Sequence, residues 1–389
     1  MHKGIVLERG KDRPIRDRHH WIFSRAIKSA PNYQNGDILP VYSNDGELLG
    51  HAMLNKDTAI AGRMVNFDST DPVTSIKLNI KRAIEYRKAL FKNEQTNAYS
   101  LVNGEGDNLS GLVIDQYNKV FVIQIVSTGM DKLKEVIVET LKNETEVECI
   151  YEKSTIHARR KDGLESFEGV LYGELPEKVE ILEHGVKFLV DIKQSQKTGL
   201  FLDQREMRKL VGEYTKDRTL LNCFSYTGGF SLYAAKNGAK KVVSVDIAPE
   251  AVELSKENFK ANNLDVNKHE FVATDAFEYL HNQDLNFDFI ILDPPAFAKK
   301  KEDLPNARRG YLDINRTALR KMPSNSFLLT CSCSYHLSEG MFEDIVKQAA
   351  LDTGRKIKII TKHRLAGDHP INPFHSELDY LKSLLLYVD

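Results

Sequence analysis

From about residue 200 onward, strand-like runs alternate with helical patterns, and this alternation restricts the fold more than any other feature of the chain. TLLNCF is followed by GFSLYAAKNG, KVVSVDI by PEAVELSKENFKANN, HEFVAT by DAFEYLHN, FDFIILD by a loop and helix, and SFLLTCS closes the series. A strand followed by a crossover helix is the repeating unit of a parallel sheet. The expected fold of this half is therefore α/β, a doubly wound Rossmann-like domain. Such sheets bind ligands beyond the carboxyl ends of their strands, so chemistry is sought just after each strand.

The texture upstream is different. Residues 1–67 carry the short strand-like runs IVLE, GDILPVY, NDGELLGHAML and TAIAGRMV, with Asn44-Asp45-Gly46 as a hairpin turn, which predicts a small barrel. Over 74–93, apolar residues at 76, 80, 84 and 90 predict a helix. LSGLVIDQY and KVFVIQIV then read as strands, MDKLKEVIVETLKN as a helix, and ECIYEKS and EGVLYGE as strands, a β-β-α-β-β insert; EILEHGVKFLVDI reads as a hairpin. At 389 residues the chain exceeds one ordinary domain, and domains at 1–70, 71–190 and 191–389 are expected.

An apolar share of 41% with 28% charged residues describes a globular chain, and no run of about 18 apolar residues predicts a membrane span. The N-terminus lacks the apolar core of a secretory signal. Cys149, Cys223, Cys331 and Cys333 make no disulfide framework, and Cys331-x-Cys333 has no second pair to complete a zinc site, so no metal is expected and a reduced, cytoplasmic setting fits. The net charge of −1 hides an asymmetry: residues 1–28 hold eight Lys/Arg against three acids, with His2, His19 and His20 adding charge when protonated. A basic stripe with Trp21 and Phe23 beside it suits a nucleic-acid backbone and its bases, although a solvated charged face has the same composition.

The strand ends narrow the ligand. After the first strand, Phe224-Ser225-Tyr226-Thr227-Gly228-Gly229 can turn sharply against a ligand but lacks both G-x-G-x-x-G and a Walker lysine, which disfavours dinucleotides and triphosphates. Asp246, followed by Ile247, ends the second strand, where a carboxylate accepts from ribose hydroxyls. Asp275, followed by Ala276, ends the third, where it can accept from an adenine amino group. Singly, either acid could be a helix N-cap. Together they describe an adenosine-bearing ligand without phosphates, of which S-adenosylmethionine is the common one. The upstream block Lys197–Arg205 could close over its methionine end, with Phe201 alongside, Asp203 on the amino group and Arg205 on the carboxylate. A structural ion pair between Asp203 and Arg205 is the alternative.

The fourth strand ends in Asp293-Pro294-Pro295-Ala296-Phe297, two prolines presenting the carboxylate rigidly beside the cofactor. The fifth ends in Thr330-Cys331-Ser332-Cys333-Ser334-Tyr335-His336. A thiol there suits methylation of a pyrimidine C5, a carbon that is not nucleophilic until sulfur adds at C6. Cys331 lies in an apolar run and should pack. Cys333, further out, is the candidate nucleophile, with Asp293 as its partner and His336 as either an activating group or a surface residue.

These residues also carry a family resemblance. LNCFSYTGGFSLYAA, VDIAPEAVELSKEN, DPPAFAKKK, RRGYLDIN, LLTCSCSYHL and GDHPINP closely resemble the bacterial large-subunit rRNA methyltransferase I family, across essentially the whole chain. RHHWIFSRAI and NGDILPVY are similar to that family's PUA domain, an RNA-binding pseudo-barrel, and NGEGDNLSGLVIDQYNKV to its central EEHEE domain. The resemblance implies a class I methyltransferase domain at 191–389, formation of 5-methylcytosine in 23S rRNA, Cys333 of Ser332-Cys333-Ser334 as nucleophile, Asp293 of the D-P-P motif, and a homodimer. Ala296 stands where many RNA cytosine-C5 enzymes place a second cysteine, which leaves the base for the C5 proton unassigned.

Two other classes compete. A base-nitrogen methyltransferase of rRNA, such as one acting on guanine N7, would need no thiol. A non-catalytic RNA-binding assembly factor would not need Asp246, Asp275 and Asp293 together. Glutamine or adenine-N6 methylation fits poorly, because Ala296 displaces the aromatic ring that normally follows D-P-P.

Overall fold

A computed structural model describes residues 3–93, 95–375, 377 and 379–389, and the chain divides into two compact units. One comprises Met1–Glu183, Val190–Asp203 and Gly367–Leu378; the other comprises His184–Leu189, Gln204–Ala366 and Asp379–Asp389.

The first unit holds two sheets. The six-stranded one runs in the order Trp21–Phe23, Ile60–Asn66, Leu48–Leu54, Ile38–Tyr42, Ile5–Leu7 and Ile27–Ser29. Its core is Ile5, Leu7, Ile22, Val41, Ala52 and Met64. The four runs read as strands are present, and Gly46 turns between two of them at φ 87°. Trp21–Phe23 and Ile27–Ser29 are additional strands of three residues each, too short to show a period of two. The eight basic residues of 1–28 are all exposed, as is Phe23. His20 corrects the charge reading: it is buried, and desolvation pulls its pKa down to about 4, so its imidazole is neutral. His2 lies outside the described residues.

The helix Pro72–Leu90 follows, capped by Asp71, whose carboxylate accepts from the Thr74 amide at 2.9 Å. The second sheet of this unit has five strands rather than four: Phe167–Tyr172, Cys149–Ser154, Val120–Ile125, Leu112–Tyr117 and Ala98–Asn103. The unforeseen edge strand, Ala98–Asn103, mixes polar and apolar residues without clean alternation. The predicted helix is broken at Leu133 into Thr128–Lys132 and Lys134–Glu144. Segment 367–378 returns to this unit through buried polar contacts. Arg87 donates to both Asp107 carboxylate oxygens and to the carbonyls of Ser100 and Asp368, while the Asp368 carboxylate accepts from the Ser100 amide at 2.8 Å.

The second unit carries the sheet that positions the candidate active site. Its strands are β1 (Thr219–Cys223), β2 (Lys241–Asp246), β3 (Glu270–Ala273), β4 (Phe289–Leu292), β5 (Ser326–Ser332), β6 (Ile357–His363) and β7 (Lys382–Val388). They lie in the order β3-β2-β1-β4-β5-β7-β6. The first five pair in parallel, as the alternation predicts; β7 corrects the all-parallel reading, inserting antiparallel between β5 and β6. Leu221, Val243, Ile290, Leu292, Leu328 and Leu386 lie on these strands in one core with helix residues Tyr311, Ile314 and Phe342. Such near-continuous apolar strands are what helices on both faces of a sheet require. The order reverses between β1 and β4, which opens the crevice at their carboxyl ends. No helix among the described residues is long and apolar enough to cross a membrane.

Candidate active site

The turn after β1 is built by backbone strain. Phe224, Tyr226 and Gly228 adopt φ of 60°, 48° and 78°, three left-handed residues within five. For Phe and Tyr that conformation is disfavoured and persists only where surrounding structure enforces it. The enforcing group is Asp246 at the end of β2. Its Oδ2 accepts from the Tyr226 amide at 2.7 Å and its Oδ1 from the Ala248 amide at 3.0 Å. Gly228 is required twice over, by its φ and because a Cβ would sit 2.0 Å from Ser255 Oγ.

Asp275 caps the helix Ala276–Asn282, its Oδ1 accepting from the amides of Phe277 (2.7 Å) and Glu278 (3.1 Å). The capping alternative is therefore present, with Oδ2 left outside the cap. Asp246 caps no helix; Ala248 holds that position for Pro249–Ala261. Ile247 beside it is 70% exposed, an apolar side chain placed at the crevice mouth with no core to join. Ala276 is buried behind Asp275. Phe224 and Phe277 meet edge to face at 5.7 Å.

Beyond β4, Asp293 is half-buried and receives Gln204 Nε2 at 3.3 Å on both oxygens. Phe297 turns inward onto Tyr311, ring centroids 4.5 Å apart, and so is not offered as a stacking surface. Beyond β5, the two serines of the S-C-S stretch are structural. Ser332 Oγ donates to the Tyr311 hydroxyl at 3.0 Å, Ser334 Oγ meets the same hydroxyl at 3.0 Å, and Ser334 Oγ accepts from the Ala298 amide at 3.2 Å. Burial pushes the Tyr311 pKa up to about 12, keeping it a protonated anchor.

This frame leaves the two nearby thiols in different surroundings. Cys331 is fully buried, and desolvation pushes its pKa far up, which makes it inert. Cys333 is half-exposed, its Sγ 3.8 Å from the Pro294 carbonyl of the D-P-P turn. Lys382 on β7 is a cation that interacts with this thiol. It faces Ser332 across the β5–β7 ladder, its ammonium donates to the carbonyls of Ser334 and Tyr380 at 2.7 Å each, and it interacts electrostatically with Cys333. Burial lowers its pKa to about 8. His336 instead packs against Tyr335, ring centroids 5.1 Å apart. Sequence reading missed Lys382, Tyr311 and Gln204. Tyr311 stood in the RRGYLDIN stretch and Gln204 in the Lys197–Arg205 block, but nothing local marked Lys382.

The remaining expected residues are Phe201, Asp203 and Arg205. Arg205 opens the helix Arg205–Glu213, fully buried, its Nε 3.3 Å from Glu206 Oε1. Phe201 and Asp203 belong to the first unit, where Lys197 Nζ lies 4.8 Å over the Phe201 ring and Asp203 is buried.

A family model for S-adenosylmethionine-dependent methyltransferases matches residues 130–349, and one for PUA-like domains matches residues 5–67. The ribosomal RNA large subunit methyltransferase I of Aeromonas salmonicida is 40% identical over 389 residues, spanning 98% of each chain. That of Pseudoalteromonas atlantica is 40% identical over 394 residues, spanning 100% of each. The chain belongs to the ribosomal RNA large subunit methyltransferase I family. Among solved structures it is similar to a candidate SAM-dependent methyltransferase from Streptococcus mutans, with 26% identity, TM-score 0.83, and 99% and 100% of the two chains covered. It is also similar to a candidate methyltransferase complexed with SAH, with 26% identity, TM-score 0.84 and the same coverage.

The family's cofactor is S-adenosylmethionine, and the residues present fit it. The turn at Gly228 has no room for a side chain, Ile247 supplies an exposed apolar face for a purine, and Ser225 Oγ is buried without a hydrogen-bond partner beside the turn. Asp246, with each oxygen accepting one amide, retains lone pairs for two ribose hydroxyls.

Proposed function

We propose that this methyltransferase acts on large-subunit ribosomal RNA, forming 5-methylcytosine in 23S rRNA through a covalent bond from Cys333 to C6 of the base. The observation that carries the reading is the partly exposed Cys333, its Sγ 3.8 Å from the D-P-P carbonyl, with Lys382 interacting with it electrostatically and every other cysteine buried. When bound, S-adenosylmethionine supplies an electrophilic methyl on a sulfonium. The Cys333 thiolate adds to C6, and the electrons of the C5–C6 double bond make C5 the nucleophile that accepts the methyl. Departure of the C5 proton to a base and of sulfur from C6 restores the ring and the thiolate. Asp293, held by Gln204, shares a proton with N3 and offsets the charge of the adduct. Phe201, Asp203, Arg205, Phe224, Ser225, Tyr226, Gly228, Asp246, Ile247, Asp275, Ala276 and Asp293 are the proposed cofactor contacts.

The RNA reading is supported by the relatives' names, the match to PUA-like domains, and the exposed basic residues of 1–28 with exposed Phe23. Family membership also supports work as a cytoplasmic homodimer. The deciding experiment is incubation with cofactor and 5-fluorocytosine-substituted 23S rRNA. A complex stable to denaturant is expected with the wild type and absent with Cys333→Ala. Methylation of rRNA by Cys333→Ala would refute the covalent route and favour a base nitrogen.

A further inference from the structure

The first unit contains a cluster that the methyl-transfer chemistry does not use. His19 precedes the strand Trp21–Phe23, while His375 and Glu377 lie on the returning segment 367–378. His19 Nε2 is 3.5 Å from Glu377 Oε1, and His375 Nε2 is 3.6 Å from Glu377 Oε2. One ligand atom from each of the three residues lies within 4.8 Å of the other two. The two imidazole centroids are 4.6 Å apart.

These separations are too long for good hydrogen bonds, whose N···O distances are about 2.7–3.2 Å. The two imidazole–carboxylate separations are close to the edge of a coordination tetrahedron, roughly 3.3–3.4 Å for bonds of about 2.0–2.1 Å, and small side-chain rotations would bring one atom of each residue, now within 4.8 Å of the other two, onto a common ion. His375 is fully buried, and neither of its ring nitrogens has a hydrogen-bond partner; Glu377 Oε2 has none either. A buried imidazole with two unsatisfied nitrogens is costly unless something absent from the protein satisfies it. His19 is already oriented. Its Nδ1 sits against the Trp21 backbone, 3.2 Å from the amide nitrogen and 3.3 Å from the carbonyl oxygen, which holds the ring with Nε2 toward Glu377. Arg63, the nearby cation, is engaged elsewhere, 3.7 Å from Glu105 and 3.9 Å from Asp162.

We propose that His19, His375 and Glu377 bind one divalent transition-metal ion of the zinc class. Two imidazoles and a carboxylate favour zinc or its late first-row neighbours over magnesium or calcium, which prefer all-oxygen shells. Three protein ligands leave a fourth position, and the partial exposure of His19 and Glu377 lets water fill it. The ion would tie the returning segment to the start of the chain within this unit, a structural role independent of the methyl-transfer reading.

The chain has one tryptophan, and its ring lies 4.4 Å from that of His375, so it reports on the site directly. Untagged, chelator-stripped full-length protein carrying Cys333→Ala, which removes the competing thiol, is titrated with Co2+ and then Zn2+. One equivalent of Co2+ is expected to quench Trp21 fluorescence and to develop the intense visible bands of a tetrahedral ion, and Zn2+ to reverse both and raise Tm. Glu377→Gln, at a half-exposed position, should keep the fold and weaken Zn2+ binding at least tenfold; His375→Gln should abolish it. Absence of quenching in the parent, or equal affinity in the parent and Glu377→Gln, overturns the proposal.

Discussion

Lys382→Met tests the electrostatics of the proposed nucleophile. The substitution keeps the aliphatic stem, which is buried, and removes the ammonium that interacts electrostatically with Cys333. An opposite charge near a group favours its ionised form, by up to roughly 1–3 pKa units at close range. Lys382 shares its protons with the Ser334 and Tyr380 carbonyls, so the lower end applies, about one unit or 1.4 kcal/mol. Losing the cation disfavours the thiolate, so at about pH 7 its population should fall roughly tenfold. The Lys382 pKa of about 8 adds a signature. Below that pH the wild type carries the cation and the variant does not; as pH rises through it, the wild type loses the cation as well. The wild-type advantage should therefore be largest below about pH 8 and shrink above it. Iodoacetamide alkylation measures this cleanly, because Cys149, Cys223 and Cys331 are buried and Cys333 is not. Single-turnover methylation should show the same ratio. Identical alkylation profiles for wild type and Lys382→Met, with the fold intact by circular dichroism, would refute the role assigned to Lys382.

Gly228→Ala places a Cβ 2.0 Å from Ser255 Oγ at a left-handed φ, and calorimetry should show S-adenosylmethionine affinity lowered by at least tenfold. Asp246→Ala removes the acceptor for the Tyr226 and Ala248 amides together with the proposed ribose contact, and should weaken cofactor binding by about 2–3 kcal/mol while global stability changes less. Arg87→Met strands the nearly buried Asp107 carboxylate and two carbonyls, a loss of about 3–5 kcal/mol in urea denaturation. Replacing Arg9, Lys11 and Arg13 with Gln, all exposed, should weaken RNA binding and flatten its dependence on salt, as filter binding across salt concentrations would show.

What the sequence made legible was local. Each parallel strand announced itself by an apolar run, and each candidate carboxylate stood at its end or within two residues of it, because in an α/β sheet the strand end and the ligand crevice coincide. Asp246, Asp275 and Asp293 could be found that way without knowing which strands paired. Lys382 could not. Its place beside the Ser332–Ser334 stretch depends on β7 running antiparallel to β5 with Lys382 opposite Ser332, a register decided by the whole sheet. The serines flanking Cys333 looked like part of a catalytic signature, yet their hydroxyls are spent on Tyr311, which fixes the loop that carries the thiol. Histidines misled for a related reason. Counting His20 as a potential positive charge assumed exposure, whereas burial keeps it neutral. His19, His375 and Glu377 carry no motif spacing because they come from opposite ends of the chain, and motif spacing detects a metal site only when its ligands share a short segment. An expectation of no metal drawn from cysteine counting therefore tested one kind of site and left untested the kind that tertiary folding assembles.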